Sequence, residues 1–204
     1  MTLAEPVQIT RLVTEALEGL GIPYLVGGSL ASSLHGTPRA TQDADLVVDL
    51  KAHHVREFVK ALGSAFHVDA NLIREAIRDR SSFNVIHLAT MFKVDLFMLK
   101  DDPLSQTEMV RRERYQISED PKQVLFVASA EDTILWKLQW FQIGGEVSDR
   151  QWSDVIGVCR VQKGRLDVAY LEWGAQQIGV SDLLNQAFQE TGIVVEGGKG
   201  RHEY

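Results

Sequence analysis

The chain has 204 residues, 45% hydrophobic and 24% charged, the composition of an ordinary globular domain long enough to build a core without disulfides. Its 21 basic and 28 acidic residues leave a net charge of −7, which excludes a general nucleic-acid binder, because that affinity comes mostly from neutralising phosphates. Acidic excess is compatible with a local basic patch, or with carboxylates collected around divalent cations. The single Cys159 excludes an intramolecular disulfide and cysteine-based zinc sites. No apolar run approaches the roughly 18 residues of a membrane span. The opening MTLAEPVQIT lacks the basic start and apolar run of a signal peptide, so a cytoplasmic protein with no membrane partner is expected.

Residues 7–20 place Ile9, Leu12, Val13, Ala16, Leu17 and Leu20 at helical spacing, and Gly21 with Pro23 ends that helix. Tyr24–Val26 is a short buried strand running into Gly27-Gly28, followed by a helix over Ser29–His35. Residues 45–50 read as a strand, 53–62 and 71–79 as helices. The runs 83–88 and 93–99 are strands close enough to pair antiparallel through Ala89–Phe92. A helix is expected over 103–111 and short strands at Tyr115–Ile117 and Val124–Val127. From Ser129 onward only helices are read: 129–142, 148–162, 167–178 and 181–190. An α/β half thus precedes a helical half, with a boundary near residues 118–128. The tail 192–204, with Gly197, Gly198 and Gly200, is expected to be loose.

The stretch 24–49, YLVGGSLASSLHGTPRATQDADLVVD, carries the chemistry. Two glycines after a strand let the backbone approach a ligand closely. Ser29 then falls where free helix N–H groups and the dipole favour an anion. A tight turn with Ser29 as a helix cap is the competing reading. Asp43 and Asp45, two apart on a strand, point to one face. Two adjacent carboxylates repel unless a cation lies between them, and Mg²⁺ held by carboxylates and substrate phosphates is the expected partner. Asp95, inside the apolar run KVDLF, needs a partner or a metal; an ion pair with Lys93 or an arginine is the alternative.

The order strand, Gly-Gly-Ser, helix, Asp-x-Asp, strand resembles the nucleotidyltransferase superfamily related to DNA polymerase β. That resemblance implies an α+β fold: a small mixed β-sheet flanked by helices, with a helical C-terminal part. It implies a catalytic domain over 1–120, a helical subdomain over 121–190 and a tail over 191–204. It further implies that Asp43, Asp45 and Asp95 bind Mg²⁺ (or Mn²⁺), and that Gly27, Gly28 and Ser29 hold a nucleoside triphosphate. Residues 129–138, SAEDTILWKL, resemble a helix of the AbiEii-like toxin branch, in which a lysine, here Lys137, contacts the triphosphate. That branch carries an arginine and an aspartate in the next helix, here Arg150 and Asp154. The activity implied is transfer of a nucleoside monophosphate to an acceptor hydroxyl on RNA, such as a transfer RNA, or on protein, with an antitoxin partner. A catalytically silent nucleotide-binding module, or an aminoglycoside-type enzyme, are the alternatives.

From the residues alone, Lys137 among Ile134, Leu135, Leu138 and Phe141 either meets an anion or snorkels to water. Asp154 pairs with Arg150 at i,i+4 if it has no ligand role. Arg39, in the loop before Asp43, steadies a phosphate, steadies the loop, or is solvated. Arg111, Arg112 and Arg114 form the densest basic cluster, either a solvated helix end or a contact to a nucleic-acid acceptor. Trp136, Trp140, Trp152 and Trp173 lie on helices and are read as core packing.

Overall fold

A computed structural model describes residues 5–120 and 123–194. In chain order the elements are α1 (Glu5–Gly19), β1 (Tyr24–Val26), α2 (Gly28–His35), β2 (Asp43–Val48), α3 (Val55–Leu62), β3 (Phe66–His67), α4 (Ala70–Asp79), β4 (Ser82–His87), β5 (Lys93–Met98), α5 (Pro103–Arg111), β6 (Glu113–Gln116), β7 (Val124–Val127), α6 (Ala130–Ile143), α7 (Asp149–Gln162), α8 (Val168–Ile178) and α9 (Ser181–Thr191). Two 3₁₀ turns flank α3, Ala52–His54 before it and Gly63–Ala65 after it. The expected elements are present, within a few residues at their ends. The two-residue strand β3 is additional; it is too short to leave a periodic signature.

The strands form one mixed sheet in the order β3-β4-β5-β2-β1-β7-β6. β2 runs antiparallel to β1 and parallel to β5, and β4 and β5 form the expected antiparallel hairpin. β7 lies parallel to β1, so the sheet and its core extend to residue 127. β2 and β5 alternate in burial. Ala44, Leu46 and Val48, with Val94, Leu96 and Met98, face a core completed by Ile9, Val13 and Leu17 of α1, Phe58 of α3 and Ile73 of α4. The opposite face of β2 and β5 is free to carry polar groups.

A second core is built from α6–α9, with Ile134, Leu135, Leu138, Val155, Val158, Leu171 and Phe188 at its centre. Helix starts follow capping chemistry. Asp69, Asp102, Ser129, Ser148 and Asp167 each accept a backbone N–H from the first turn of the helix they precede. Helix α2 packs against both α6 and α7, which joins the two cores and forms one wall of a cleft over the polar face of the sheet. Gly192 closes α9; of the tail expected to be loose, residues 195–204 lie outside the described residues.

Candidate active site

The polar face of β2 and β5 is a ladder of three rungs. Asp43 is opposite Lys93, Asp45 opposite Asp95, and Val47 opposite Phe97. Successive rungs on one face lie about 6.7 Å apart. The middle rung therefore places two aspartates on adjacent strands, with Asp43 one rung away. β5 is central in the sheet, and the Asp95 carboxylate forms an ion pair with Lys93 at 2.7 Å. Thr41 donates a hydrogen bond to Asp43 at 3.1 Å. None of the described residues makes a hydrogen bond or ion pair with the Asp45 side chain. Burial, followed by the charges of Asp43 and Asp95, pushes the Asp45 carboxyl up to about 6, against the opposing pull of Lys137 and Lys93.

Among the described residues, no three His, Cys, Asp or Glu side chains converge closely enough to form a ready metal site. The donor set nevertheless fits a hard divalent cation, since it consists of carboxylate oxygens alone. Lys93 supplies part of the counter-charge. Its hydrogen bond to Asp95 raises its affinity for a proton, against burial, and Asp43 and Asp45 add to the effect.

Gly27-Gly28 closes the cleft above this ladder. Gly28 has φ +55°, and a Cβ there would lie 1.8 Å from Asp45 Oδ2. Only glycine allows α2 to begin this close to the carboxylate. The N-cap of α2 is Gly27, with no side-chain capping bond, so Ser29 is not the cap. Its hydroxyl instead accepts hydrogen bonds from Arg39 Nη2 at 2.6 Å and Lys137 Nζ at 3.4 Å.

Arg39 and Lys137 share one carboxylate. Arg39 donates to both Asp154 oxygens at 2.8 Å, and Lys137 donates to Oδ2 at 2.8 Å. Burial would raise Asp154, but Arg39 and Lys137 outweigh it and hold the carboxyl below its usual range. Lys137 is only 5% exposed, which removes the snorkelling reading. Asp154 is engaged by Arg39 and Lys137, which removes the alternative of an i,i+4 pair with Arg150; Arg150 lines the cleft. Two cations against one carboxylate leave a net positive corner beside Ser29 and the N-terminus of α2, suited to an anion.

Gly27, Gly28, Ser29, Arg39, Asp43, Asp45 and Lys137 all line one cleft of about 450 Å³. Asp95 belongs to the same ladder, and Asp154 stands behind Arg39 and Lys137. The cleft continues past Val47 and Phe97 to Glu108 of α5 and to Trp136 and Trp140 of α6. This part was not singled out from the sequence, and it corrects the core reading of Trp140. Trp140 is 51% exposed at the cleft mouth, and Trp136 lines the cleft while also packing on the helical core; Trp152 and Trp173 pack against that core as expected. Glu108 had a readable signal, since it follows Leu104 by four residues and precedes Met109, which puts it on the buried side of α5. Of the basic cluster, Arg111 turns inward to Glu131 at 3.2 Å, and Arg112 bonds the Met109 carbonyl and lies over the Phe126 ring. These two are thus not a free surface for nucleic acid.

Neither a protein-family model nor a curated protein matches the chain in sequence. Solved structures match its fold. The solution structure of the antibiotic-resistance factor ANT(2'')-Ia aligns over 90% of this chain and 96% of its own, with a TM-score of 0.53 and 14% identity. The same factor in complex with adenylyl-2''-tobramycin aligns over 86% and 98%, with a TM-score of 0.54 and 13% identity. An antigenic nucleotidyltransferase-like protein from Paracoccidioides brasiliensis aligns over 92% and 94%, with a TM-score of 0.52 and 16% identity. At such identities the likeness is one of architecture: the chain has the nucleotidyltransferase fold.

Proposed function

We propose that this protein transfers a nucleoside monophosphate from a nucleoside triphosphate to an acceptor hydroxyl. The observation that carries the reading is the juxtaposition, in one cleft, of an anion corner (Gly28, Ser29, Arg39, Lys137) with Asp43 and Asp45, opposite the second of which β5 places Asp95. The β- and γ-phosphates lie against the first amides of α2 and the Ser29 hydroxyl. Arg39 and Lys137 turn part of their charge from Asp154 to the phosphates, and Asp154 keeps both side chains aimed at that corner. Asp43, Asp45 and Asp95 would hold Mg²⁺ or Mn²⁺, which when bound offsets charge on the attacking and leaving oxygens. Asp95 orients the acceptor hydroxyl and takes its proton, for which the ion pair with Lys93 opens. The acceptor oxygen bonds to the α-phosphorus, the bond from that phosphorus to the bridging oxygen breaks, and pyrophosphate leaves.

The resemblance of residues 129–154 to the AbiEii-like toxin branch supports an acceptor on RNA or protein, a toxin–antitoxin or phage-defence role with an antitoxin partner, and a cytoplasmic setting. A second reading, an antibiotic hydroxyl as acceptor, is favoured by the likeness to ANT(2'')-Ia. Lys100 and Arg150 on the cleft wall weigh against a polycationic amino sugar in that role. No helix among the described residues is long and apolar enough to cross a membrane.

Calorimetry with ATP, GTP, CTP and UTP, with and without Mg²⁺, tests the reading. Binding that needs the cation supports it. Equal affinity in excess chelator removes the metal-centred chemistry.

A further inference from the structure

The far end of the cleft contains buried polar groups that the transfer chemistry does not use. Glu108 is 2% exposed yet lines the cleft. The Trp136 indole N–H is buried close to it, but the two form no hydrogen bond of normal geometry. The Gln151 side-chain oxygen, on the same cleft, is also buried without a hydrogen-bond partner. Unpaired buried polar groups are costly and uncommon in folded proteins. Two of them on residues that line one cleft, beside the buried Glu108 carboxyl, mark a place where a ligand supplies the missing partners.

The surroundings indicate which part of a ligand this is. Val47 and Phe97 form the rung beyond Asp45 and Asp95, about 6.7 Å further along the sheet. That step is the length of a ribose measured from the α-phosphate. Opposite them, α6 turns Thr133, Trp136, Lys137 and Trp140 to the cleft at i, i+3, i+4 and i+7. Lys137 is thus at the phosphate end of the helix face and Trp140 at the aromatic end, where its ring lies 6.4 Å from that of Phe97. A flat heteroaromatic ring with hydrogen-bonding edges satisfies both the aromatic walls and the unpaired polar groups.

We infer that the slot bounded by Phe97, Trp136 and Trp140 is the nucleobase subsite, and that Glu108 is the residue that reads the base edge and sets which nucleoside triphosphate is used. This rests on the proposed phosphate and metal roles above. Burial, and then the charge of Asp132, holds the Glu108 carboxyl well above its ordinary range. A neutral carboxyl presents one donor and one acceptor side by side, as a base edge requires.

The test is calorimetry with Mg²⁺ on the full chain, using the four nucleoside triphosphates and inorganic tripolyphosphate. The wild-type protein is expected to spread the four affinities by about tenfold or more, the scale of one bidentate base contact. Glu108→Ala should compress that spread, whereas Glu108→Gln, which keeps one donor and one acceptor, should retain it. Trp140→Ala, at the exposed rim, should weaken the preferred nucleotide roughly 5- to 150-fold. Tripolyphosphate affinity should be the same in all variants that keep the wild-type melting temperature. Equal wild-type affinities for the four nucleotides, or a Glu108→Ala protein that discriminates as the wild type does, overturns the base-reading role. Loss of tripolyphosphate and nucleotide binding in equal measure in Trp140→Ala overturns the subsite. If wild type binds neither tripolyphosphate nor nucleotides, the phosphate reading has failed, and this inference with it.

Discussion

Replacing Asp45 by asparagine should stabilise the metal-free protein, and only above a defined pH. The Asp45 carboxyl is pushed up to about 6 by burial and by Asp43 and Asp95, whereas an unfolded aspartate titrates near about 3.9. The folded state therefore holds a proton that the unfolded state releases earlier. The resulting contribution to stability is fully present below about pH 4 and is lost as pH rises through about 6. Two pH units at about 1.36 kcal/mol each give about 3 kcal/mol of penalty in the native wild type at pH 8. Asparagine carries no such charge, although its amide still has to be buried. For a chain of this size each kcal/mol corresponds to about 2–4 °C, so Asp45→Asn should melt several degrees higher at pH 8, up to about 10 °C. The advantage should shrink towards pH 5. Thermal melts of both proteins in chelator between pH 5 and pH 8 are the assay. A variant that melts below wild type at pH 8, or a difference that does not change with pH, refutes a carboxylate held against repulsion.

Other expected outcomes follow from the same geometry. Lys137→Ala should weaken ATP binding by roughly 1.5–3 kcal/mol, the scale of a charge-assisted hydrogen bond, and hardly affect AMP; paired titrations read the difference. Gly28→Ala places a methyl group on the Asp45 carboxylate at a positive φ, so it should abolish transfer and cost at least about 1 kcal/mol of stability in a denaturant melt.

The local parts of this fold were legible because periodicity and breakers are local. The apolar spacing of α1 with Gly21 and Pro23, the apolar runs of β4 and β5, and the helical patterns that begin at residues 129 and 148 each act within a few residues. The Asp43–Asp45 pair was visible because a strand repeats every two residues. The resemblance brought Asp95 to them, and the parallel pairing of β2 with β5 puts it opposite Asp45. The Arg39–Asp154 contact spans 115 residues. A sequence pattern of period two or 3.6 specifies the face on which a side chain lies, not the distant element that meets that face. The local alternative for Asp154 was therefore a partner in Arg150, and Trp140 was assigned to the helical core although it lies on the cleft side of α6, away from the face that carries Leu138 and Phe141. Glu108 sits on a buried helix face for reasons that become chemical only when α6 is packed beside it.

The central claim is that Asp43, Asp45 and Asp95 bind a divalent cation together with the triphosphate of a nucleotide. Crystals grown with Mn²⁺ and a non-hydrolysable nucleoside triphosphate test it by anomalous scattering. The account predicts manganese density ligated by Asp43, Asp45 and Asp95, with β- and γ-phosphates on Gly28, Ser29 and Lys137. A nucleotide bound elsewhere, or bound in this cleft with no metal on the aspartates, contradicts it.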